Sequence, residues 1–111
     1  MEKKFIVTEL KNFKKELKGL SKKYPSIIND VENLKTELAE NPFLGESLGD
    51  SFYKIRMKIT SKRQGKSGGA RIITNVKIVN NMVYLADIYD KSEVVTVSKK
   101  ELAALNKQIP E

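Results

Sequence analysis

The apolar positions of this 111-residue chain change period several times, and each period predicts a different element. Residues 5–7 form a short apolar run, which indicates a first strand. Over residues 8–24 apolar side chains recur every third or fourth position, as on one side of an amphipathic helix that breaks before Pro25. A second apolar stripe over 27–38 predicts another helix, which ends at Pro42. Because the break between them is short, we expect the two helices to form an antiparallel hairpin.

The second half of the chain carries the strand patterns. Residues 53–59 alternate strictly between apolar and basic side chains, which predicts a strand with one face of each kind. A second long strand is expected over 70–79. A third, over 82–89, is apolar at almost every position, so we place it in the interior of the sheet. Ser98, followed three positions later by Glu101, predicts a capped C-terminal helix.

These elements predict one domain that spans residues 1–111, because the chain is too short to build two cores. Residues 41–52 are rich in glycine and are expected to be irregular. The predicted fold is α+β, with an N-terminal strand and a helical hairpin packed on a mainly antiparallel four-stranded sheet, and with a short C-terminal helix.

The composition narrows the chemistry that the chain can perform. It contains no cysteine and no histidine, which excludes disulfides, thiolate sites, the usual zinc sites and histidine-based catalysis. We expect neither a cofactor nor a metal. No apolar run near the N-terminus is long enough for a signal peptide or a membrane span, so we expect a cytoplasmic protein with no membrane partner. The net charge of +7 favours a polyanionic partner, either nucleic acid or an acidic protein.

Basic residues alternate along the two long strands. Lys54, Arg56 and Lys58 share one face of the first, because successive side chains in a strand point to opposite sides. Arg71 and Lys77 share a face of the next. If the two faces coincide, the cations meet on one surface, where they repel one another unless an anion binds. A solvated face that prevents aggregation is an equally good interpretation of this pattern.

The loop between these strands adds three cations, Lys62, Arg63 and Lys66, together with three glycines. Glycine lets a backbone approach a phosphate, and nearby cations supply the opposite charge, so phosphate binding is one interpretation and a flexible hairpin loop is the other. The Gly-Lys-Ser triplet at 65–67 resembles the end of a P-loop. However, Thr60 stands where that motif needs its first glycine, and a strand follows instead of a helix, so we exclude nucleotide hydrolysis.

Tyr89 and Lys91 lie at the end of the last predicted strand. Tyr89 is a candidate for stacking on a base or for moving a proton, and Lys91 is a candidate for contacting phosphate. A buried tyrosine at a strand edge is the more common reason for such a residue.

Taken together, these segments resemble the RelE/ParE superfamily of toxins from type II toxin–antitoxin systems, and within it a RelE/HigB-like branch. The element order resembles that family over essentially the whole chain. The likeness is carried by residues 13–17, 44–49, 53–56, 65–73 and 88–93. The most specific part is the Gly-Lys-Ser-Gly-Gly-x-Arg run at 65–71.

The resemblance implies cleavage of messenger RNA in the ribosomal A site, and a cognate antitoxin that carries its own DNA-binding domain. The family acts on RNA through basic residues of the second strand, an arginine that opens the third, and a basic or tyrosine residue after the fourth. In this chain the matching catalytic candidates are Lys54, Arg56, Arg71, Tyr89 and Lys91. The further expected RNA-binding residues are Lys58, Lys62, Arg63, Lys66 and Lys77. Two departures are an arginine at position 56, where the best-known RelE proteins have lysine, and the capped C-terminal helix in place of a basic-aromatic segment.

Cleavage by attack of the RNA 2′-hydroxyl on the adjacent phosphate requires alignment, charge stabilisation and proton transfer. Under this hypothesis Arg71 and Arg56 stabilise the charge on phosphorus, Lys54 or Lys91 assists proton transfer, and Tyr89 orients a base. Two other functions remain open. One is a ParE-like gyrase inhibitor, although such toxins typically lack so dense a set of cations. The other is a non-catalytic module that binds RNA or protein.

Overall fold

A computed structural model describes residues 4–62, 68–93 and 97–110. The elements are β1 (Ile6–Glu9), α1 (Lys11–Lys23), α2 (Ile27–Glu40), β2 (Glu46–Gly49), β3 (Phe52–Met57), β4 (Ala70–Lys77), β5 (Met82–Asp90) and α3 (Lys99–Asn106). The strands form one sheet in the order β1-β5-β4-β3-β2, in which β1 runs parallel to β5 and every other neighbouring pair is antiparallel. The predicted α+β fold is confirmed. Within the described residues, no helix is long and apolar enough to cross a membrane.

The sheet has one strand more than expected. Part of the segment 41–52, predicted to be irregular, forms β2, a four-residue edge strand that pairs with β3. The chain turns from β2 into β3 through Gly49, Asp50 and Ser51, all with positive φ. Three of the four residues of β2 are exposed. A short polar edge strand has no alternation of apolar side chains, so the hydrophobic pattern does not reveal it.

The helical hairpin covers one face of the sheet. Phe13 of α1 and Val31 of α2 are fully buried in a cluster with the sheet. On and just after β3, the alternate apolar residues Ile55, Met57 and Ile59 belong to this same cluster, as predicted. The basic residues between them consequently point to the other side of the sheet.

The C-terminal helix α3 packs on that other side. Its predicted capping box is present, since the Ser98 hydroxyl accepts a hydrogen bond from the Glu101 amide and the Glu101 carboxylate accepts one from the Ser98 amide. Leu105 of α3 and the following Ile109 are buried in a second cluster that includes Tyr89 of β5. The face of the sheet that carries the cations is therefore partly covered by a helix.

Candidate functional site

Three of the expected catalytic residues form one row across three adjacent strands. Arg56 of β3 is paired with Arg71 of β4, and Arg71 is paired with Tyr89 of β5. Side chains at paired positions project from the same face of a sheet, and neighbouring strands lie about 4.8 Å apart, so the row spans about 10 Å. The structure thus places the cations of β3 and β4 on one face.

Two more of the expected lysines, Lys54 and Lys77, share this face but lie at different distances from the row. Lys54 is the nearest residue to Arg56 on the same side of β3, and its ammonium lies 4.0 Å from the carboxylate of Glu46 on β2. Lys77 lies at the far end of β4, roughly 20 Å along the strand from Arg71. The structure therefore does not bring Lys77 close to the row of Arg56, Arg71 and Tyr89.

Lys58 and Lys91 lie on the opposite side of the row from Lys54 and Lys77, and Gly69 lies between them. The Lys91 amide donates a hydrogen bond of 3.0 Å to the Gly69 carbonyl, which extends the pairing of β4 and β5. A Cβ atom placed on Gly69 would lie only 3.2 Å from the Cα of Lys58. By the alternation of strand residues, Lys58 lies on the side of Arg56, and Lys91 on the side of Tyr89. We call this set the cationic face: Lys54, Arg56, Lys58, Arg71 and Lys91.

The site has a buried layer and an exposed layer. Arg71 is only 4% exposed, and Tyr89 is 8% exposed. The Tyr89 ring lies in the same cluster as Leu105 and Ile109, and its buried hydroxyl has no hydrogen-bond partner within the part of the chain that the structure describes. The other members of the cationic face are exposed or half-buried: Lys54, Arg56, Lys58 and Lys91. Stacking of a base on Tyr89 would require the C-terminal segment to move away.

The charges in the row act on one another. Burial lowers the pKa of Arg71, and the neighbouring charge of Arg56 lowers this pKa further, although Tyr89 opposes both effects. Burial raises the pKa of Tyr89, and the charge of Arg71 offsets part of that rise. Arg71 is a cation at pH 7, since arginine stays protonated in proteins. Tyr89 is a neutral phenol at this pH, because its pKa is raised above an already high value. An anion bound beside two paired guanidinium groups would relieve their repulsion.

A buried carboxylate, that of Asp90, lies on the opposite face of β5. Its Oδ1 accepts hydrogen bonds from the ammonium of Lys62 at 2.7 Å and from the amide and hydroxyl of Ser92 at 3.0 and 2.8 Å. Its Oδ2 accepts one from the Tyr24 hydroxyl at 2.5 Å. Burial by itself would raise the pKa of Asp90, but the hydrogen bonds from Lys62, Tyr24 and Ser92 hold it well below its usual range. We call these four residues the Asp90 cluster.

Lys62, expected to contact RNA, has its charge neutralised inside the protein instead. Its side chain is 11% exposed, and its ammonium lies 5.4 Å from the centre of the Tyr24 ring as well as beside Asp90. Burial, the largest single effect, lowers the pKa of Lys62, but the hydrogen bond and charge of Asp90, together with Tyr24, outweigh it, and the net shift of this pKa is upward. The structure does not bring Lys62 to the cationic face. The other two expected loop cations, Arg63 and Lys66, lie outside the described residues.

Sequence reasoning missed Asp90, because a carboxylate between Tyr89 and Lys91 looks unsuited to a site for RNA. The signal that would have found it is the alternation of the strand. A residue between two that face one side must itself face the other, toward the helical hairpin.

The cationic face offers guanidinium and ammonium groups, with one phenol beside them. Such groups bind phosphate oxygens and stabilise negative charge as it develops on them. Among the described residues, no group of three or more carboxylates is placed to hold a metal ion.

Comparison with known proteins finds a likeness of structure but none of sequence. No protein-family model matches the sequence, and no curated protein is significantly similar to it. Among solved structures, an arginine-substituted variant of E. coli toxin RelE in the free state resembles this chain with a TM-score of 0.64. The match covers 96% of this chain and 99% of that one at 15% sequence identity, so the likeness is one of fold. The chain has the RelE-like toxin fold that its sequence segments implied.

Proposed function

We propose that this protein is the toxin of a type II toxin–antitoxin module, a metal-independent endoribonuclease that cleaves messenger RNA at the ribosome in the cytoplasm. The observation that carries the proposal is the row of Arg56, Arg71 and Tyr89, with lysines on the same face on either side of it. The likeness of fold to a protein described as a toxin supports the assignment to this class.

In the proposed reaction, the 2′-hydroxyl of a nucleotide attacks the adjacent phosphorus atom. A 2′,3′-cyclic phosphate forms as the bond to the 5′-oxygen breaks, and the proton of the 2′-hydroxyl is lost while the leaving oxygen gains one. Arg56, which is exposed, contacts the non-bridging oxygens with its planar guanidinium. Arg71 adds positive charge from the buried layer, where charge interactions are stronger than in water.

Lys54 and Lys91 are the groups proposed to assist the proton transfers. An ordinary lysine is a poor base at neutral pH, and the chain has no histidine to take that role. We therefore expect the rate to depend mainly on how the substrate is aligned, which agrees with a requirement for the ribosome to hold the message.

A second candidate function is a non-catalytic RNA-binding module of the same fold. One observation favours it: Arg71 and Tyr89 are buried, so the exposed lysines and Arg56 would bind RNA while two catalytic candidates stay out of reach. Binding without cleavage separates this candidate from the endoribonuclease.

The experiment is an in-vitro translation reaction to which the purified protein is added, with cuts in the message mapped by primer extension. We expect cuts in translated message that disappear without ribosomes. Arg56→Ala should lower the rate by about a hundredfold, the usual scale for loss of one charge-stabilising donor. Lys77→Ala is the matched control, because it removes one positive charge from the same face at the far end of β4 and should leave the rate within about twofold.

An equal loss in both variants would show that net charge alone matters, and would contradict the assignment of the row. Intact message with bound RNA would support the non-catalytic module. Intact message with stalled gyrase would support a ParE-like inhibitor.

The proposed partners are the ribosome with its message and a cognate antitoxin that carries a DNA-binding domain. Expression of the chain alone should arrest growth, and co-expression of the small protein encoded beside it should restore growth. Growth arrest that persists in Arg56→Ala would contradict the link between toxicity and the cationic face.

A further inference from the structure

The Asp90 cluster joins three segments of the chain directly behind the cationic face. Tyr24 immediately follows α1, Lys62 lies in the turn after β3, and Ser92 lies in the turn after β5. All three donate hydrogen bonds to one carboxylate whose side chain is completely buried. One group thus fixes the relative positions of the helical hairpin and of two strand ends.

Both described ends of the segment between β3 and β4 are held at this point. The Lys62 ammonium donates a hydrogen bond to Asp90. The Gly69 carbonyl accepts a hydrogen bond from the amide of Lys91, which directly follows Asp90 in the chain. On the other side of Asp90 is Tyr89, the last member of the row. Tyr89 and Lys91, on either side of Asp90, lie on the side of the cationic face, while the Asp90 carboxylate is hydrogen-bonded on the side of the helical hairpin.

We propose that Asp90 is a positioning residue for the cationic face, an inference that rests on the proposed RNA cleavage. By holding Lys62 and Ser92 on the hairpin side, Asp90 sets the direction in which Tyr89 and Lys91 leave the end of β5. Loss of these bonds frees Lys91 from its place beside the row, although the rest of the sheet keeps its register.

Stability alone does not explain this arrangement. The desolvation of a buried ion pair offsets much of its attraction, and apolar residues of similar volume often stabilise a fold as well or better. A carboxylate that accepts hydrogen bonds from three directions supplies a defined geometry instead. The bonds of Asp90 converge from three segments, and two of those segments lead to residues of the cationic face.

The test uses Asp90→Asn and a control variant elsewhere in the fold. Glu9→Gln is the control, because it removes one of the two carboxylate partners of Lys35 from a half-buried ion pair between β1 and α2. In Asp90→Asn we expect the amide of Lys91 to exchange with solvent at least about tenfold faster. We also expect kcat for cleavage to fall about tenfold or more, with KM for programmed ribosomes within about twofold. Glu9→Gln should change neither exchange at Lys91 nor kcat, even at an equal loss of thermal stability.

Asp90→Asn leaves Lys62 as a buried charge without its counter-ion, so a double variant guards against misfolding. Asp90→Asn combined with Lys62→Met removes both charges and should regain thermal stability, yet kcat should stay low because the bonds that orient Lys91 are still missing. Wild-type kcat in this double variant would overturn the proposal.

Two further outcomes also decide the matter. Unchanged exchange at Lys91 in Asp90→Asn, or an equal loss of kcat in Glu9→Gln, would overturn the positioning role. If the wild-type protein cleaves no message, the proposed function fails, while exchange at Lys91 still decides whether Asp90 holds the end of β5 in place.

Discussion

Arg56 and Arg71 occupy paired positions on neighbouring strands, so two guanidinium groups project from one face of the sheet. Like charges at paired positions weaken a sheet by several tenths of a kcal/mol, and Arg71 is buried besides. A solvated surface accounts for exposed lysines but not for a cation that is 4% exposed. Departures from a local rule of sheet pairing are expected at functional sites, so the paired arginines agree with anion binding on this face.

The first prediction concerns this pair. Arg56→Gln should raise the free energy of unfolding by about 0.5 kcal/mol, because it removes one of two paired like charges, and it should lower the rate of cleavage by about a hundredfold. Urea unfolding at low salt measures the first effect, and the gain should shrink as salt screens the charges. Lys77→Gln, which changes the same face away from the pair, should leave both quantities nearly unchanged. A less stable Arg56→Gln variant would contradict the repulsion.

The second prediction is a pH dependence from Asp90. Its pKa in the folded state is lowered from about 3.9, the value expected in the unfolded chain. Such a group contributes stability that is fully present above the unfolded pKa and is lost as the pH falls through the folded pKa.

Wild-type protein should therefore exceed Asp90→Asn in free energy of unfolding by about 3 kcal/mol at pH 7, and the gap should narrow steadily below about pH 5. Urea unfolding of both proteins across this range measures the gap. A gap that does not change with pH would show that the charge of Asp90 is not the cause.

The third prediction uses two glycines. A Cβ atom on Gly69 would lie 2.2 Å from the carbonyl oxygen of Met57, a backbone atom that cannot move without separating β3 from β4. Gly69→Ala should therefore destabilise the fold by about 2 kcal/mol or more and misplace Lys58 and Lys91. At Gly19, within α1, a Cβ atom meets nothing within 4 Å. Gly19→Ala should raise the free energy of unfolding by about 0.5–1 kcal/mol, since alanine favours the helix. Thermal unfolding of both variants measures these changes in stability. An equal change in Gly69→Ala and Gly19→Ala would contradict the packing argument.

The fourth prediction concerns the hydroxyl of Tyr89. It is buried without a hydrogen-bond partner among the described residues, so Tyr89→Phe should leave the free energy of unfolding unchanged or raise it slightly. Because burial raises the pKa of this phenol, it does not serve as a base at pH 7, and we expect cleavage by Tyr89→Phe within about tenfold of wild type. A loss of a hundredfold or more at unchanged stability would assign a proton transfer to this hydroxyl.

The order and type of the long elements followed from the sequence, because burial of one side of a helix or strand imposes a period that is visible along the chain. The two hairpin helices, the three long strands and the capped helix after Ser98 are all present, although the second long strand ends at Lys77, two residues before its predicted end. The hydrophobic pattern did not reveal β2, a short exposed edge strand with polar side chains.

Side-chain alternation also determined which cations share a strand face, so Lys54 and Arg56 were correctly grouped. Only the tertiary structure decided that Arg56 lies opposite Arg71, that Lys77 lies at the far end of β4, and that Lys62 is bonded to Asp90. The physical reason is that strand register and helix docking depend on contacts between residues far apart in the chain, whereas a periodic pattern reports only which side of its own element a residue occupies.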